Sequence, residues 1–295
     1  MSNECSSCGE NGNCSSQKEG KDCGKKAQSP EDLQLSENLG RITNKIVVMS
    51  GKGGVGKSTV AVNIALALAL AGKKVGLLDV DVHGPSVPRL LSLSGQQAHI
   101  EKDYIEPIPW SKNLWVMSLG FLMPNRDEAV IWRGPVKTGL IRQFLQNVAW
   151  GELDFLIVDC PPGTGDEPLT IMQLLGKEAK SVIVTTPQML AIDDVRRSIT
   201  FCKRTGSQIL GVVENMSGFV CPECGKRHEI FKSGAGERMA KDMSVPFLGR
   251  IPVDPELARA GDEGFAYVKV YPDSETSRVM REIVQPMLDL QAVTA

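Results

Sequence analysis

The sequence feature that most constrains the fold is a glycine-rich stretch, Gly51-Lys52-Gly53-Gly54-Val55-Gly56-Lys57-Ser58-Thr59. It fits the pattern G-x-x-x-x-G-K-[ST] and lies between an aliphatic run at 46–49 and a helical pattern over 58–71. Glycines at these positions let the backbone curl so that its N–H groups face phosphate oxygens. In such a loop Lys57 would reach the β- and γ-phosphates, and the hydroxyl of Ser58 would hold Mg²⁺. The stretch therefore predicts a nucleoside triphosphate site.

Short aliphatic runs alternate with longer helical patterns along most of the chain. The runs lie at 46–49, 75–78, 114–117, 155–158, 182–184 and 209–213, and the helical patterns include 58–71, 136–148 and 189–204. Strands that are apolar on both faces are typical of a parallel sheet covered on both sides. We therefore predict the α/β class: a doubly wound, mostly parallel sheet with helices on both faces and ligands at the carboxyl ends of the strands.

The chain divides into three parts by composition. It has 295 residues with 42% hydrophobic content, which is enough for a full core. Residues 1–28 contain no aliphatic side chain after Met1 except Ala27, so they cannot form a core and are predicted to be a cysteine-rich segment. Residues 29–44 are predicted to be a linker with a lead-in helix around 33–42. Residues 45–295 are predicted to form the nucleotide-binding domain.

Charge and hydropathy exclude several classes of partner. The net charge of −2 and the lack of a basic run argue against nucleic acid. The polar N-terminus does not resemble a signal peptide, and the longest apolar stretch, 64–71, is far shorter than the ~20 residues of a spanning helix. We expect a cytoplasmic protein that does not bind membranes. In that reducing compartment cysteines serve as metal ligands or as buried thiols, and Cys160 and Cys202 fit the second role.

Aspartates follow two of the predicted strands. Asp81 comes shortly after the strand at 75–78, and Asp159 ends the strand at 155–158. A carboxylate at the carboxyl end of a strand, facing a phosphate loop, can bind Mg²⁺ directly or through water. Ser58, Asp81 and Asp159 are therefore the predicted Mg²⁺ ligands. Asp79 and Asp166 are predicted either to support these ligands or to cap helices.

A second candidate site is the C-x-x-C of Cys221-Pro222-Glu223-Cys224-Gly225. Two thiolates do not complete a four-coordinate site, and a contribution from His228 would still leave a vacancy. The missing ligands must come from elsewhere in this chain or from a second copy. A two-fold dimer would supply four thiolates, because one surface patch meets itself.

Lys52, Asp81, Asp159 and Asn215 resemble residues of the deviant Walker A ATPases. That dimerising class includes the nitrogenase iron protein and the division-site and chromosome-partitioning ATPases. The resemblance implies that Lys52 reaches the partner's nucleotide, that Asp81 orients the attacking water, and that Lys52, Lys57 and Asp81 are catalytic. It also implies an adenine contact for Asn215 and a base-edge segment at Pro252 and Asp254. Because the sequence has no N-K-x-D motif, we expect ATP.

Five motifs together resemble the Mrp/ApbC family of iron–sulfur cluster carrier ATPases. They are K-G-G-V-G-K-S-T, D-V-D-V-H-G-P-S, D-C-P-P-G-T-G-D, E-N-M-S-G-F and C-P-E-C-G, and the match covers 45 to about 270. The resemblance implies a P-loop fold like that of the nitrogenase iron protein. It also implies a homodimeric ATP hydrolase that binds a labile [4Fe-4S] cluster at Cys221 and Cys224 and passes it to apo-proteins.

The N-terminal cysteines form a further candidate site at Cys5, Cys8, Cys14 and Cys23. The spacing from Cys5 to Cys14 resembles an amino-terminal cluster segment found in part of the family, where a further cysteine lies upstream. Cys23 is our candidate for the fourth ligand. A second iron–sulfur cluster, a zinc site and a thiol-rich tail without metal are all open for this segment.

Other functions fit parts of the sequence. A positioning ATPase of the division-site type would make the C-x-x-C a structural zinc knuckle, since zinc and clusters share thiolate ligands. Such a protein needs a membrane or DNA contact, yet the apolar stripe over 277–290 has few cations and is predicted to dock on the core. An electron-donating reductase is a further alternative.

Overall fold

The computed structural model describes residues 29–81, 84–102, 104–123 and 134–290. Its strands are β1 (Ile42–Ser50), β2 (Val75–Asp79), β3 (Ile108–Ser111), β4 (Leu114–Ser118), β5 (Leu153–Asp159), β6 (Lys180–Thr185), β7 (Gln208–Glu214), β8 (Phe219–Val220), β9 (Arg227–His228) and β10 (Phe247–Arg250). Its helices are α1 (Pro30–Gly40), α2 (Lys57–Leu70), α3 (Val87–Leu90), α4 (Gly134–Asn147), α5 (Asp166–Leu175), α6 (Met189–Thr205), α7 (Ala235–Asp242), α8 (Pro255–Glu263), α9 (Tyr267–Val270) and α10 (Glu275–Leu288).

A sheet of eight strands forms the centre of the domain, in the order β10-β7-β6-β1-β5-β2-β4-β3. Neighbouring strands are parallel except for the edge strand β3, which is antiparallel to β4. Helices α2, α3, α8, α9 and α10 contact one another on one face, and α1, α4, α5, α6 and α7 form the other layer. This arrangement confirms the predicted α/β class and the doubly wound, mostly parallel sheet.

The six predicted strands correspond to β1, β2, β4, β5, β6 and β7, whose residues are almost all buried. Helix α2 is apolar around most of its circumference because it packs against the sheet on one side and against α10 on the other. The stripe over 277–290 also docks as predicted, since Met280, Ile283 and Met287 of α10 are buried. Within the described residues, no helix combines the length and the apolarity that crossing a membrane requires.

The lead-in helix differs from its prediction. It occupies Pro30–Gly40 and begins at a capping box formed by Ser29 and Asp32, whereas Ile42 already pairs with Leu153 in the sheet. The side-chain amide of Asn38 donates to the carbonyls of Leu145 and Val148 at 2.8 and 2.9 Å, which fastens α1 to the end of α4. The prediction extended the helix too far because an isolated Ile fits either element.

Candidate functional site

The glycine-rich stretch forms the loop between β1 and α2, at the carboxyl edge of the sheet. Gly54 and Gly56 both have φ of +80°, a left-handed backbone that favours glycine. The loop is also tightly packed: a Cβ on Gly51 would lie 2.5 Å from a backbone carbon of Asp194, and one on Gly56 would lie 2.2 Å from Nδ2 of Asn215. The glycines are therefore required both by backbone conformation and by the lack of space.

Lys57, at the start of α2, forms a buried ion pair with Asp159 at the end of β5. Its Nζ lies 2.6 Å from Oδ1 of Asp159, 3.3 Å from Oγ of Ser58 and 3.8 Å from Oδ2 of Asp81. Burial alone would lower the pKa of Lys57, but the charge and hydrogen bond of Asp159, together with the charges of Asp81 and Asp79, outweigh burial and the pKa is raised. The ammonium group therefore stays charged at neutral pH.

The predicted Mg²⁺ ligands lie together around this ion pair. Ser58, Asp81 and Asp159 all lie close to Lys57 Nζ, and Oδ2 of Asp159 is buried with no hydrogen-bond partner in the part of the chain that the structure describes. Hydroxyl and carboxylate oxygens are the ligands that Mg²⁺ takes in proteins, usually together with phosphate oxygens and water. These residues fit a Mg²⁺ ion, and the unpartnered oxygen of Asp159 is the group that it would satisfy.

Asp79 supports the loop that carries Asp81. Its Oδ1 accepts from the N–H of Asp81 at 3.1 Å, and its Oδ2 accepts from the Ser118 hydroxyl at 3.0 Å and from the N–H of Val87 at 3.3 Å. Burial raises the pKa of Asp79 to about 7, and the nearby charge of Asp159 adds to the effect. Of the two predicted alternatives, Asp79 is thus a supporting residue, whereas Asp166 lies in the first turn of α5.

Asn215 lies directly against the phosphate loop. Its Nδ2 donates to the carbonyl of Val55 at 2.9 Å, and its backbone N–H donates to the carbonyl of Thr185 at 2.8 Å. The structure therefore brings Asn215 to the nucleotide site, and its contact with adenine stays a prediction. Lys52 is half-buried in the same loop, and its predicted reach across a dimer likewise stays a prediction.

Asp254 has a structural role that sequence reasoning missed. It is the N-cap of α8, with Oδ1 accepting from the N–H of Glu256 at 2.9 Å, while Oδ2 accepts from Thr276 at 2.7 Å and from the Tyr267 hydroxyl. Pro252 and Asp254 line a cavity of about 220 Å³ beside the C-x-x-C. Both oxygens of the Asp254 carboxylate already accept hydrogen bonds from these donors. Contact of Pro252 and Asp254 with a nucleotide base stays a prediction.

The C-x-x-C lies at the turn of the short hairpin formed by β8 and β9. Cys221 donates its N–H to the carbonyl of Lys226 at 3.0 Å, and Gly225, with φ of +67°, donates to the carbonyl of Cys221 at 2.9 Å. Cys224 is exposed and Cys221 partly so. Backbone N–H groups of Cys224 and Glu223 lower the pKa of Cys221, which favours the thiolate.

No further metal ligand completes this pair within the described part of the chain, where no three His, Cys, Asp or Glu side chains are grouped as a metal site would need. His228 is exposed on β9, where its backbone pairs with Phe219. Within the described residues, folding therefore brings no third ligand to Cys221 and Cys224, and the pair is as incomplete as it is in the sequence. The predicted ligands Cys5, Cys8, Cys14 and Cys23 lie outside the described residues.

Glu214 is a further residue that the sequence did not single out. It ends β7, is fully buried, and accepts hydrogen bonds from the Ser217 hydroxyl at 2.6 Å and from the N–H groups of Gly234 and Gly236 at 2.8 and 2.5 Å. The sequence signal that could have identified Glu214 is a charged residue at the end of an apolar strand, immediately before Asn215. Such a residue is buried only when its charge is well satisfied.

A phosphate loop between β1 and α2, with Asp159 at the end of the neighbouring strand β5, defines a P-loop NTPase. The family described as ParA, NUBPL iron-transfer P-loop NTPase, matches residues 41–288, and the chain belongs to this family. Nucleotide binding and, in general terms, nucleotide hydrolysis follow from this membership. The resemblance stated from the motifs is thereby confirmed.

Several relatives align over most of the chain. The cytosolic Fe-S cluster assembly factor Nubp2 homolog of Anopheles gambiae is 52% identical over 253 residues, which is 84% of this chain and 98% of that protein. The iron-sulfur cluster carrier protein of Methanocaldococcus jannaschii is 48% identical over 265 residues, covering 90% and 91% of the two chains.

Solved structures show the same fold. A nucleotide-binding protein from Archaeoglobus fulgidus, in complex with ADP and with cobalt found in it, is 42% identical with a TM-score of 0.71 and covers 80% of this chain and 92% of its own. The cell division ATPase MinD of Pyrococcus furiosus, at 22% identity and a TM-score of 0.61, covers 84% and 100%. The second likeness concerns the fold alone.

Removing the Lys57 ammonium should destabilise the domain, because it leaves the Asp159 carboxylate buried without its partner. We expect Lys57→Met to lower the free energy of unfolding by about 3–5 kcal/mol at neutral pH. The loss of stability should shrink as the pH falls and Asp159 takes up a proton.

The double variant Lys57→Met/Asp159→Asn should recover most of the stability while failing to bind nucleotide. Urea denaturation and nucleotide fluorescence titration measure the two properties, and a double variant as unstable as Lys57→Met would contradict the ion pair's role.

The four cysteines that the structure describes should differ sharply in their reactivity toward iodoacetamide. Burial raises the pKa of Cys160 and of Cys202, so neither should react in the folded protein, whereas Cys221 and Cys224 should. Because its pKa is lowered, Cys221 should keep reacting at a pH where a free cysteine is largely protonated. Peptide mass spectrometry of metal-free protein, with a urea-unfolded control in which all four react, measures this. Modification of Cys160 as fast as that of Cys224 in the folded state would refute it.

Proposed function

We propose that this chain is an ATP-dependent iron–sulfur cluster carrier. In this proposal two copies hold a [4Fe-4S] cluster through Cys221 and Cys224 of each copy, and pass it to apo-proteins. The observation that carries the proposal is the thiol pair on the β8–β9 hairpin, exposed at Cys224 and partly exposed at Cys221, for which the described residues provide no third ligand. The names of the relatives, which are cluster assembly factors and a cluster carrier, support the same role.

A second copy is the simplest source of the missing ligands. A four-iron cluster takes four thiolates, and an isologous two-fold contact presents the same pair twice. Cys224 is exposed, so a partner could reach it and an acceptor protein could later approach the same position. A site shared between two surfaces suits a carried cluster, because separating the surfaces would expose its ligands.

The nucleotide is proposed to be ATP with Mg²⁺. When ATP binds, the Lys57 ammonium would turn from Asp159 to the phosphates, and Ser58, Asp81 and Asp159 would hold the metal. Bound Mg²⁺ would neutralise negative charge on the phosphates. Asp81 would orient the attacking water, and Lys52 of the partner copy would add a positive charge at the γ-phosphate. Asn215, already against the loop, is the proposed contact for adenine.

The remaining parts of the proposal concern the N-terminus and the compartment. Residues 1–28 would carry a second metal site at Cys5, Cys8, Cys14 and Cys23, preceding the helix α1 and the ATPase domain. The relatives named cytosolic factors support a cytoplasmic location. The competing function, a positioning ATPase, would use the hairpin cysteines for structural zinc.

Anaerobic reconstitution with iron and sulfide tests the proposal. A shared four-iron cluster contributes about two irons per chain. Cys221→Ala/Cys224→Ala should therefore bind about two irons fewer per chain than the parent, whatever the N-terminal cysteines hold. It should also fail to activate an apo-enzyme that needs a [4Fe-4S] cluster. Glu223→Gln is the matched control, because it changes the same turn and leaves both thiols in place.

Two outcomes would overturn the carrier function. One is equal iron in the double variant and the parent, with equal activation of the apo-enzyme. The other is zinc without sulfide at the hairpin under these conditions, which would favour the positioning ATPase. Sedimentation of the reconstituted protein should further show a dimer that depends on Cys221 and Cys224.

A further inference from the structure

One buried carboxylate fastens both ends of the segment that carries the hairpin cysteines. Glu214 lies at the carboxyl end of β7 and is fully buried. Its Oε1 accepts from the Ser217 hydroxyl, just before the hairpin, and from the N–H of Gly234, just after it. Its Oε2 accepts from the N–H of Gly236 in the first turn of α7. Hydrogen bonds to a buried carboxylate are among the strong ones, so this attachment is firm.

The same stretch of chain touches the phosphate loop one residue further on. Asn215 donates to the carbonyl of Val55, and the hypothetical Cβ of Gly56 would lie 2.2 Å from Asn215 Nδ2 and 3.8 Å from Met216 Cε. The side chain of Asn215 is therefore packed tightly against the backbone of the loop. A movement of the loop at Val55 or Gly56 would act directly on Asn215.

The turn between Asn215 and the hairpin is held under strain. Met216 has φ of +56°, a left-handed conformation that costs a non-glycine residue about 1–2 kcal/mol. Hydrogen bonds on either side maintain it: Asn215 N–H to the Thr185 carbonyl at 2.8 Å, and Ser217 N–H to the Ile251 carbonyl at 2.8 Å. The strained conformation of Met216 persists because these hydrogen bonds on either side over-determine it.

Other ties of the hairpin include a hydrogen bond from the N–H of Val253 to the carbonyl of Gly218 at 2.7 Å. Arg227 forms an exposed ion pair with Glu275 at 2.7 Å, and Phe219 forms a bridge to Val253. An exposed ion pair contributes little to holding a segment in place. Glu214 joins the base of the hairpin to the carboxyl end of β7, directly beside Asn215.

We propose that Glu214 is a positioning residue that couples the state of the phosphate loop to the position of Cys221 and Cys224. Nucleotide binding rearranges the loop at Val55 and Gly56, Asn215 follows, and Glu214 transmits the movement to the hairpin through Ser217 and to α7 through Gly234 and Gly236. The inference rests on the proposed function, because it concerns how the nucleotide acts on the proposed cluster ligands.

Hydrogen exchange of residues 219–228, followed by mass spectrometry, measures the coupling without any cluster. In the parent, Mg²⁺ with a non-hydrolysable ATP analogue should change the exchange rate of this segment by about fivefold or more. Ser217→Ala loses one hydrogen bond to Glu214 and keeps the charge of Glu214. In this variant the ratio of the exchange rates with and without the analogue should fall toward one. Glu214→Gln, whose amide N–H₂ would face N–H donors, should show the same loss.

Controls separate coupling from general damage. Glu229→Gln makes the same chemical change at an exposed carboxylate of the same segment and should behave like the parent. Ser217→Ala should bind the analogue with an affinity within about twofold of the parent's, and should unfold in urea as one cooperative unit. The nucleotide-dependent ratio is the deciding quantity, since a merely structural role would change the baseline rate alone.

Two results would overturn the coupling: no effect of the analogue on residues 219–228 in the parent, or an undiminished effect in Ser217→Ala. Both are distinct from failure of the carrier function, which is measured by iron content. When the parent holds iron through Cys221 and Cys224, release of that iron to a chelator should depend on the analogue in the parent and in Glu229→Gln, and not in Ser217→Ala.

Discussion

The ion pair between Lys57 and Asp159 is the interaction on which the nucleotide site depends. Both groups are almost wholly removed from water, at 7% and 0% exposure of their side chains. Taking two charges out of water is expensive, and their attraction compensates only while both are present. The pair therefore holds two charged groups in place that the proposed chemistry uses separately, one for phosphate and one for a metal ion.

Strand order explains why these groups meet. Strand β1 delivers the phosphate loop, its neighbour β5 ends at Asp159, and the next strand, β2, ends at Asp79, which supports the loop bearing Asp81. Parallel neighbours end at the same edge of the sheet, so residues far apart in sequence converge there. On the other side of β1 and β6, strand β7 ends at Glu214 and continues through Asn215 to the hairpin that carries Cys221 and Cys224.

The sequence predicted the buried part of the fold well and the edges poorly. Six strands with near-continuous apolar runs were found, because burial on both faces leaves a clear pattern. The edge strands β3 and β10 were missed since they are short and only partly buried, with Pro109 in one and Gly249 in the other. The end of α1 was misplaced because pairing of Ile42 with Leu153 is a tertiary contact.

Site residues divide in the same way. Local motifs predicted that Lys57 would lie in a phosphate loop beside carboxylates and that Cys221 would lie at a turn, and the structure places them there, while their binding roles stay predictions. The role of Glu214 could not be predicted, since it depends on the N–H groups of Gly234 and Gly236, about twenty residues further along the chain. The cap role of Asp254 was missed although its donor, the N–H of Glu256, is local. Asp79 was left between two roles, and the hydrogen bond that it accepts from the N–H of Asp81 gives it the supporting one.

The central claim is that nucleotide and Mg²⁺ replace the ion pair that holds the site beforehand. The most direct measurement is the distance between Lys57 Nζ and the Asp159 carboxylate in a crystal structure with Mg²⁺ and a non-hydrolysable ATP analogue. The account predicts that this distance exceeds the ~4 Å limit of an ion pair, with Lys57 on the phosphates and Asp159 facing the metal directly or through water. A complex in which Lys57 stays on Asp159 at its present 2.6 Å would contradict it.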